Sequence, residues 1–478
     1  RERLSDRLTT QPLRVAAERL ALRIAAGAAR RRLVLSFPRV DVEQARPRVP
    51  SFYALVCLRA AEGHLLGFEA LSTRVGAGDA GRLGWPAPAV PADAIDEAEY
   101  DLALLAPLLD ADPETTAGTA RYLVSANPHL ARALRARARR WLRRWTVNDG
   151  LVDPDPAAVQ ALARHQMGVR AFSPTALQHF AACPYRFFLQ AVHRLQPYEE
   201  PAALETMDAL TRGSLFHDVQ FGVLTRLRDQ GHLPIAADNA DGARAVVDDV
   251  LASVAARYAD DLAPAIARVW DDGIMAVRGD LREWVRRQAE EGDGWTPARF
   301  ELAFGLADRD RPHSDPASVD EPVVLLGGAL KLRGSIDLVE RQPESSALRA
   351  TDHKTGKVYA TDDVVVGGGK ILQPVLYALA LEKLLHGPVE SGRLYYCTAD
   401  GGFATRTVRL DDSSRAAAAD VTAIVGRALA DGFLPAAPEK NGCRYCDYRP
   451  VCGPYEELRS GRKPPERLVD LNRLRTLP

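Results

Sequence analysis

Four cysteines constrain this chain more than any other feature. Cys183 lies in Ser173-Pro-Thr-Ala-Leu-Gln-His-Phe-Ala-Ala-Cys183-Pro184, and its candidate partners come more than half a chain later, in Cys443-Arg-Tyr-Cys446-Asp-Tyr-Arg-Pro-Val-Cys452. A fold that joins them must bring its two ends together. Between them lie Asp337, then Asp352-His353-Lys354, then Gln373-x-x-x-Tyr377. The clip therefore closes around a set of carboxylates and a lysine.

The chain has only six cysteines in 478 residues, too few for a disulfide scaffold. The first residues are rich in arginine but carry Glu2, Asp6 and Glu18, with no apolar stretch of the kind a signal peptide needs. A C-x-x-C spacing without a secretion signal favours metal or redox chemistry in a reducing compartment, which implies the cytoplasm. Cys57 and Cys397 sit in apolar surroundings and read as inert core thiols. For the other four, spacing leaves zinc and an iron–sulfur cluster both open. Structural zinc usually draws on paired knuckles, whereas here one ligand is solitary and the rest follow C-x2-C-x5-C.

The net charge of −1 gives no global basic field, so contact with nucleic acid must come from local patches. No run of about 18 apolar residues is present, so no membrane span is expected. The first residue is Arg1 rather than Met, which suggests a piece of a longer protein.

Helical composition covers residues 12–28, and Arg32-Leu-Val-Leu-Ser-Phe reads as a buried strand. Ser51 can cap a helix from Phe52 to Ala61, and further helices are expected at 93–109 and 112–122. Pro128 to Trp145 is a helix dense in arginine: Arg132, Arg135, Arg137, Arg139, Arg140, Arg143 and Arg144. It reads either as a solvated face or as a surface for phosphates or a docking partner. Residues 146–171, with Asn148-Asp-Gly and Asp153-Pro-Asp-Pro, look like a linker or a domain boundary. Ser173-Pro174 then starts a helix, with Ser at the cap and Pro in the first turn. Helices run on to about residue 292. Strands are expected at 299–306, 323–326, 330–341, 348–353, 392–398 and 403–410, with helices at 370–386 and 413–431.

In an extended segment, positions i and i+2 share a face. Asp352 and Lys354 therefore emerge together, and hairpin-like pairing of the two strands brings Asp337 beside Asp352. Such carboxylates suit a hard cation like magnesium, with the His353 carbonyl as a further oxygen ligand. A lysine beside them can orient a water or stabilise charge on a phosphorane. Gln373 and Tyr377 share a helix face downstream, and Gly213-Ser-Leu-Phe-His217 places a histidine on an upstream helix.

Taken in this order, the motifs resemble the RecB/AddB-type branch of the PD-(D/E)XK nuclease superfamily. The matching positions are Gly213…His217, Gly334…Asp337, Asp352…Lys354-Thr-Gly356 and Gln373…Tyr377, with Cys183-Pro184-Tyr-Arg-Phe187-Phe188 and Cys443/Cys446/Cys452 as the staple. The resemblance implies an α/β fold of restriction-endonuclease type, a mixed sheet flanked by helices, over residues 171–456, with a tail at 457–478. It implies that His217, Asp337 and Asp352 hold Mg2+ or Mn2+, that Lys354 acts on the attacking water, and that Gln373 and Tyr377 position the phosphate strand or Lys354. Glu301 sits where relatives place a strand glutamate and is a possible accessory group. It also implies that Cys183, Cys443, Cys446 and Cys452 hold a [4Fe-4S] cluster.

Residues 1–165 weakly resemble the closing segment of helicase-like domains, through Arg32-Leu-Val-Leu-Ser-Phe-Pro-Arg and Pro50-Ser51-Phe-Tyr. They read as a largely helical helicase-like remnant or a helical accessory domain. No G-x-x-x-x-G-K-[ST] motif is present, so the chain is not expected to hydrolyse ATP by itself. The expected function is metal-dependent DNA cleavage, of exonuclease type, in double-strand-break processing and recombinational repair with a helicase partner. A CRISPR-associated RecB-like nuclease is the alternative enzyme, disfavoured by the long N-terminal extension. A non-catalytic iron–sulfur subunit that grips DNA is the alternative from another class.

Overall fold

The computed structural model describes residues 11–478 except 36–39, 42–45, 48–50, 65, 66, 68, 71, 72, 74–86, 112–120, 122, 153, 154, 197–203, 205, 292, 293, 307–312, 453 and 454. The chain forms two compact units, Arg1–Ala133 and Leu134–Pro478.

In the first unit, helices cover Gln11–Gly27, Phe52–Glu62 and Glu97–Asp110. The Ser51 and Asp96 side chains cap the latter two, as their residue types favour. Leu33, Val34 and Leu35 are exposed and belong to no strand, contrary to the buried strand expected at 32–37, whose last two residues lie outside the described set. Their apolarity alone finds no neighbouring strand to pair with among the described residues. Cys57 is half-buried rather than a core thiol. The helix expected at 112–122 falls almost wholly outside the described residues.

The second unit is built on a five-stranded mixed sheet. Its strands and those of a smaller sheet are β1 (Ala171–Phe172), β2 (Thr296–Phe304), β3 (Val323–Leu325), β4 (Leu330–Leu332), β5 (Gly334–Arg341), β6 (Leu348–Lys354), β7 (Val389–Tyr396) and β8 (Thr405–Arg409). The order is β8-β7-β6-β5-β2, parallel only between β6 and β7, where α5 (Gln373–Leu385) makes the crossover. The small sheet has the order β1-β4-β3. The run 330–341, expected as one strand, is two. At Arg333 the chain leaves the small sheet, its N–H still bonded to the Phe172 carbonyl, and joins the large one as β5.

Helices α1 (Pro174–Ala182), α2 (Ala209–Asp229), α3 (Ala240–Leu262), α4 (Ala267–Glu291), α6 (Asp412–Ala430) and α7 (Val469–Arg475) complete the unit. One apolar core joins α1, α5 and α6 to the sheet, and a second joins α2, α3 and α4 to it. Alternation along β7 divides the faces: Leu394 and Tyr396 enter the first core and Tyr395 the second. Helix α5 is buried from Gln373 to Leu381, which explains why its sequence is apolar around most of its circumference. Cys397 is buried in the second core, as expected.

Residues 146–171 are not an open linker. Asp155-Pro156 starts the helix Pro156–Ala163 by the same cap-and-proline device as Ser173-Pro174, and Trp145, Leu162 and Met167 lie in the first core. Buried Asp149 pairs with Lys463 Nζ at 2.8 Å. Leu471 and Leu474 of α7 enter the same core, so the compact unit is longer than the span carrying the motifs.

The centre of the large sheet is tied by buried charge. Glu340 on β5 accepts from Arg349 Nε at 2.8 Å on β6 and from Arg393 Nη2 at 3.0 Å on β7, and Thr351 Oγ1 also donates to it. Burial pushes the Glu340 carboxyl upward, but Arg393 and Arg349 outweigh that and hold it at about 2. Its contribution is therefore complete above pH 4.5 and is lost as pH falls through about 2. Glu340→Gln leaves two buried guanidinium groups without their anion and is expected to destabilise the unit by about 3–5 kcal/mol. Urea unfolding at pH 7 and at pH 3 checks this, and the gap between variant and wild type should narrow at the lower pH.

Candidate active site

The ladder between β2 and β5 is interrupted at one place. Phe300 pairs with Leu338 and Leu302 with Ile336, and the regular register is broken between them, at Glu301 and Asp337. Phe300 and Leu338 belong to the second core, whereas Leu302 and Ile336, two residues on, belong to the first. Regular alternation would keep them on one face, so the strands turn over here. Glu301 takes φ 52°, a left-handed conformation unusual for a long side chain. Both carboxylates are thus left at the seam between the two cores.

The ladder between β5 and β6 also ends at this point. Leu338 still pairs with Thr351, but beyond it Asp337 Oδ2 accepts the His353 N–H at 2.7 Å. Asp337 therefore lies beside the Asp352–Lys354 strand, as the pairing argument requires. Lys354 Nζ lies 2.6 Å from Asp352 Oδ2, so those two side chains do emerge together. Helix α2 brings His217 to the other side of Asp337, its Nδ1 3.5 Å from Asp337 Oδ2 and 3.9 Å from Glu301 Oε1. Ser335 donates to the second Glu301 oxygen at 2.8 Å, which fixes that carboxylate.

A cavity of about 1260 Å³ opens over these groups and is lined by His217, Glu301, Asp337, Asp352, Lys354 and Tyr377, among others. Gln373 is not part of its lining. It is buried and accepts from Gln178 Nε2 at 3.2 Å, which ties α5 to α1. At the rim, Arg257 pairs with Asp218 at 2.6 Å, and Tyr258 donates to the same carboxylate. Arg257 and Arg333 both line the cavity; motif reading singled out neither, although Arg333 directly precedes the Gly334…Asp337 motif.

Burial disfavours the charge on Lys354, but Asp352 outweighs it and raises its pKa above the ordinary lysine value. Lys354 is thus a persistent cation, suited to stabilising negative charge rather than to removing a proton. Burial lowers His217 from its ordinary value despite Glu301 and Asp352, which leaves a neutral imidazole able to ligate a cation.

His217, Asp337 and His353 offer ligand atoms all within 4.8 Å of one another, and among the described residues no other group of three or more does so. Asp352, expected as a ligand, does not join that group, because its carboxylate is turned to Lys354. The side chain of His353 does join it, although the sequence pointed only to that residue's carbonyl.

In a separate small cavity, Cys183, Cys443, Cys446 and Cys452 line the wall with Arg186 and Tyr448. Burial pushes the Cys183 thiol up to about 12 and the Cys443 thiol up to about 11. Neither would ionise at neutral pH without a bound cation. Two arginines clamp the segment. Arg140 Nη1 and Arg459 Nη2 both donate to the Cys452 carbonyl, at 2.8 and 2.7 Å, and both pair with buried Glu456. Arg140 is therefore not on a solvated helix face, whereas Arg135, Arg137, Arg139, Arg143 and Arg144 are exposed.

Carboxylates on β2, β5 and β6 and a lysine paired to one of them thus meet in one cavity of a mixed sheet, and similarity to known proteins gives the family. Residues 171–453 match the model of the PD-(D/E)XK nuclease superfamily, and the chain belongs to it. Among curated proteins, it is 30% identical over 275 residues to an ATP-dependent helicase/deoxyribonuclease subunit of Lacticaseibacillus casei (strain BL23), covering 54% of this chain and 21% of that protein. It is 28% identical over 268 residues to the like-named protein of Lacticaseibacillus paracasei, covering 52% of this chain and 20% of that one. The chain thus aligns with about a fifth of the length of these relatives.

Tyr377 holds its place partly because β5 begins at a glycine. A Cβ at Gly334 would lie 2.9 Å from Tyr377 Cε1 and 3.0 Å from its hydroxyl. Gly334→Ala is expected to cost about 1–3 kcal/mol by overpacking. Tyr377→Ala in the same chain should remove most of that added cost, and a double-mutant cycle in urea measures it.

Proposed function

We propose that this chain cleaves phosphodiester bonds in DNA with a divalent cation, and that it serves double-strand-break processing and recombinational repair beside a helicase. The observation that carries the reading is the convergence of Asp337, Asp352, Lys354 and His217 at the strand seam inside one cavity. The two curated relatives are named as helicase/deoxyribonuclease subunits, which supports both the substrate and the helicase partner. No described helix is long and apolar enough to cross a membrane. A cytoplasmic setting is part of this proposal, and its support is the C-x-x-C pair Cys443/Cys446. The helicase-like origin of residues 1–165, a catalytic span of 171–456 and a tail from 457 belong to the same proposal.

The donor set suits a divalent cation: a neutral imidazole from His217 and the carboxylate of Asp337, with Asp352 lining the same cavity while paired to Lys354. Mg2+ or Mn2+ bound there would make water nucleophilic near neutral pH. The chain's own residues do the rest. Lys354 places a fixed positive charge beside the scissile phosphate and stabilises the pentacoordinate transition state. Asp352 keeps that lysine charged and directed into the cavity. Tyr377 flanks the phosphate strand, and Gln373 holds α5 in place for it. Glu301, fixed by Ser335, adds negative charge behind Asp337 and favours cation capture.

The four cysteines we assign to a [4Fe-4S] cluster. They line one cavity, and their pattern, one solitary ligand with C-x2-C-x5-C, is a four-thiolate set that an iron–sulfur cluster accepts. It would join the start of the catalytic unit to its end.

Asp337→Ala and Lys354→Ala are each expected to lower cleavage of end-labelled DNA by on the order of 100-fold or more, with unchanged circular dichroism. Normal cleavage by purified Asp337→Ala protein would sink the assignment. Anaerobically purified chain should contain about four iron and four sulfide, and Cys183→Ser should lose both. Colourless protein with stoichiometric zinc is the contrary result.

A further inference from the structure

Adjoining the cavity, beside α2, is a small, partly open chamber that shares five of its seven lining residues with it. His217, Gln220, Glu301, Asp337 and His353 line it with Phe221 and Leu224, and its volume is about 10 Å³, room for one water or one ion. His353 and Gln220 are each only 3% exposed. His353 Nε2 and both side-chain atoms of Gln220 nevertheless have no hydrogen-bond partner. Three orphaned polar atoms around one buried space are costly unless something occupies it.

The occupant's charge follows from the walls. Two carboxylates, Asp337 and Glu301, face the chamber. Lys354 is held on the opposite face of β6, 2.6 Å from Asp352. Its kind follows from the donors, because imidazole nitrogen suits first-row transition ions better than it suits magnesium. His217, His353 and Asp337 offer three ligand atoms within 4.8 Å of one another.

We propose that this chamber holds a divalent transition cation, such as Mn2+, ligated by the imidazoles of His217 and His353 and the carboxylate of Asp337, in preference to Mg2+. The inference rests on the nuclease reading and narrows it, since His217 and Asp337 serve both. It assigns the His353 side chain, rather than its carbonyl alone, to the metal. Gln220 supplies a neutral oxygen or holds a water on the remaining side. Glu301 completes charge balance, which gives its left-handed backbone a physical role.

The test uses the whole 478-residue chain, first freed of divalent ions. Pulsed electron paramagnetic resonance of added Mn2+ counts coupled nitrogens, and calorimetry gives Mn2+ and Mg2+ affinities. Two imidazole nitrogens are expected in the wild type, and Mn2+ binding should be at least tenfold tighter than Mg2+ binding. His353→Asn and His353→Leu should each remove one nitrogen and weaken Mn2+ by on the order of tenfold or more, with Mg2+ changed much less. Lys354→Ala should keep both nitrogens while losing cleavage. A single coupled nitrogen in the wild type, with cleavage intact, would overturn this inference and leave the nuclease reading standing. Unchanged Mn2+ affinity in both His353 variants would do the same and leave the chamber to water. No divalent binding by the wild type would overturn both.

Discussion

The site depends on the parting of β5 from both its neighbours at Asp337. On one side the regular register with β2 is broken at Glu301 and Asp337, and on the other Asp337 takes the His353 N–H in place of a strand partner. A paired strand would present a carboxylate to one face only. The interruption instead leaves Asp337 in reach of Lys354's strand on one side and His217 on the other. A few residues away, Glu340, Arg349 and Arg393 tie β5 to β6 and β7. The sheet is thus rigid where it is closed and open where chemistry needs it.

The wider fold serves that opening. Helix α5 is buried along most of its length and sets Tyr377 against Gly334, at the point where β5 enters the sheet. Helix α2 presents His217 outward from an otherwise apolar face that packs with α3 and α4. The cysteine segment returns to Cys183 and is clamped by Arg140 and Arg459. Trp145, Leu162 and the α7 residues Leu471 and Leu474 share the first core, although their sequence contains none of the family's motifs.

Much of this was legible in the sequence. Apolar runs and breakers located every strand of the large sheet to within a few residues, because the central strands are buried almost throughout and most are bounded by Gly or Pro. The i and i+2 rule placed Asp352 with Lys354. What escaped had physical reasons. The break at Arg333 is a change of sheet, which leaves no trace in local pattern. Asp153-Pro-Asp-Pro looked like a loop because the cap-and-proline signal of a helix start uses the same residues. The left-handed Glu301 and the inward ring of His353 depend on register, and register is set by neighbouring strands rather than by the segment itself. Leu33, Val34 and Leu35 were apolar enough for a strand and yet are exposed.

The most direct measurement of the central claim is the chelator dependence of cleavage by the intact chain on end-labelled single- and double-stranded DNA. The account expects no cleavage in EDTA and recovery on adding excess Mn2+ or Mg2+, with products that end in 5′-phosphate and 3′-hydroxyl. Cleavage that persists unchanged in EDTA would contradict it.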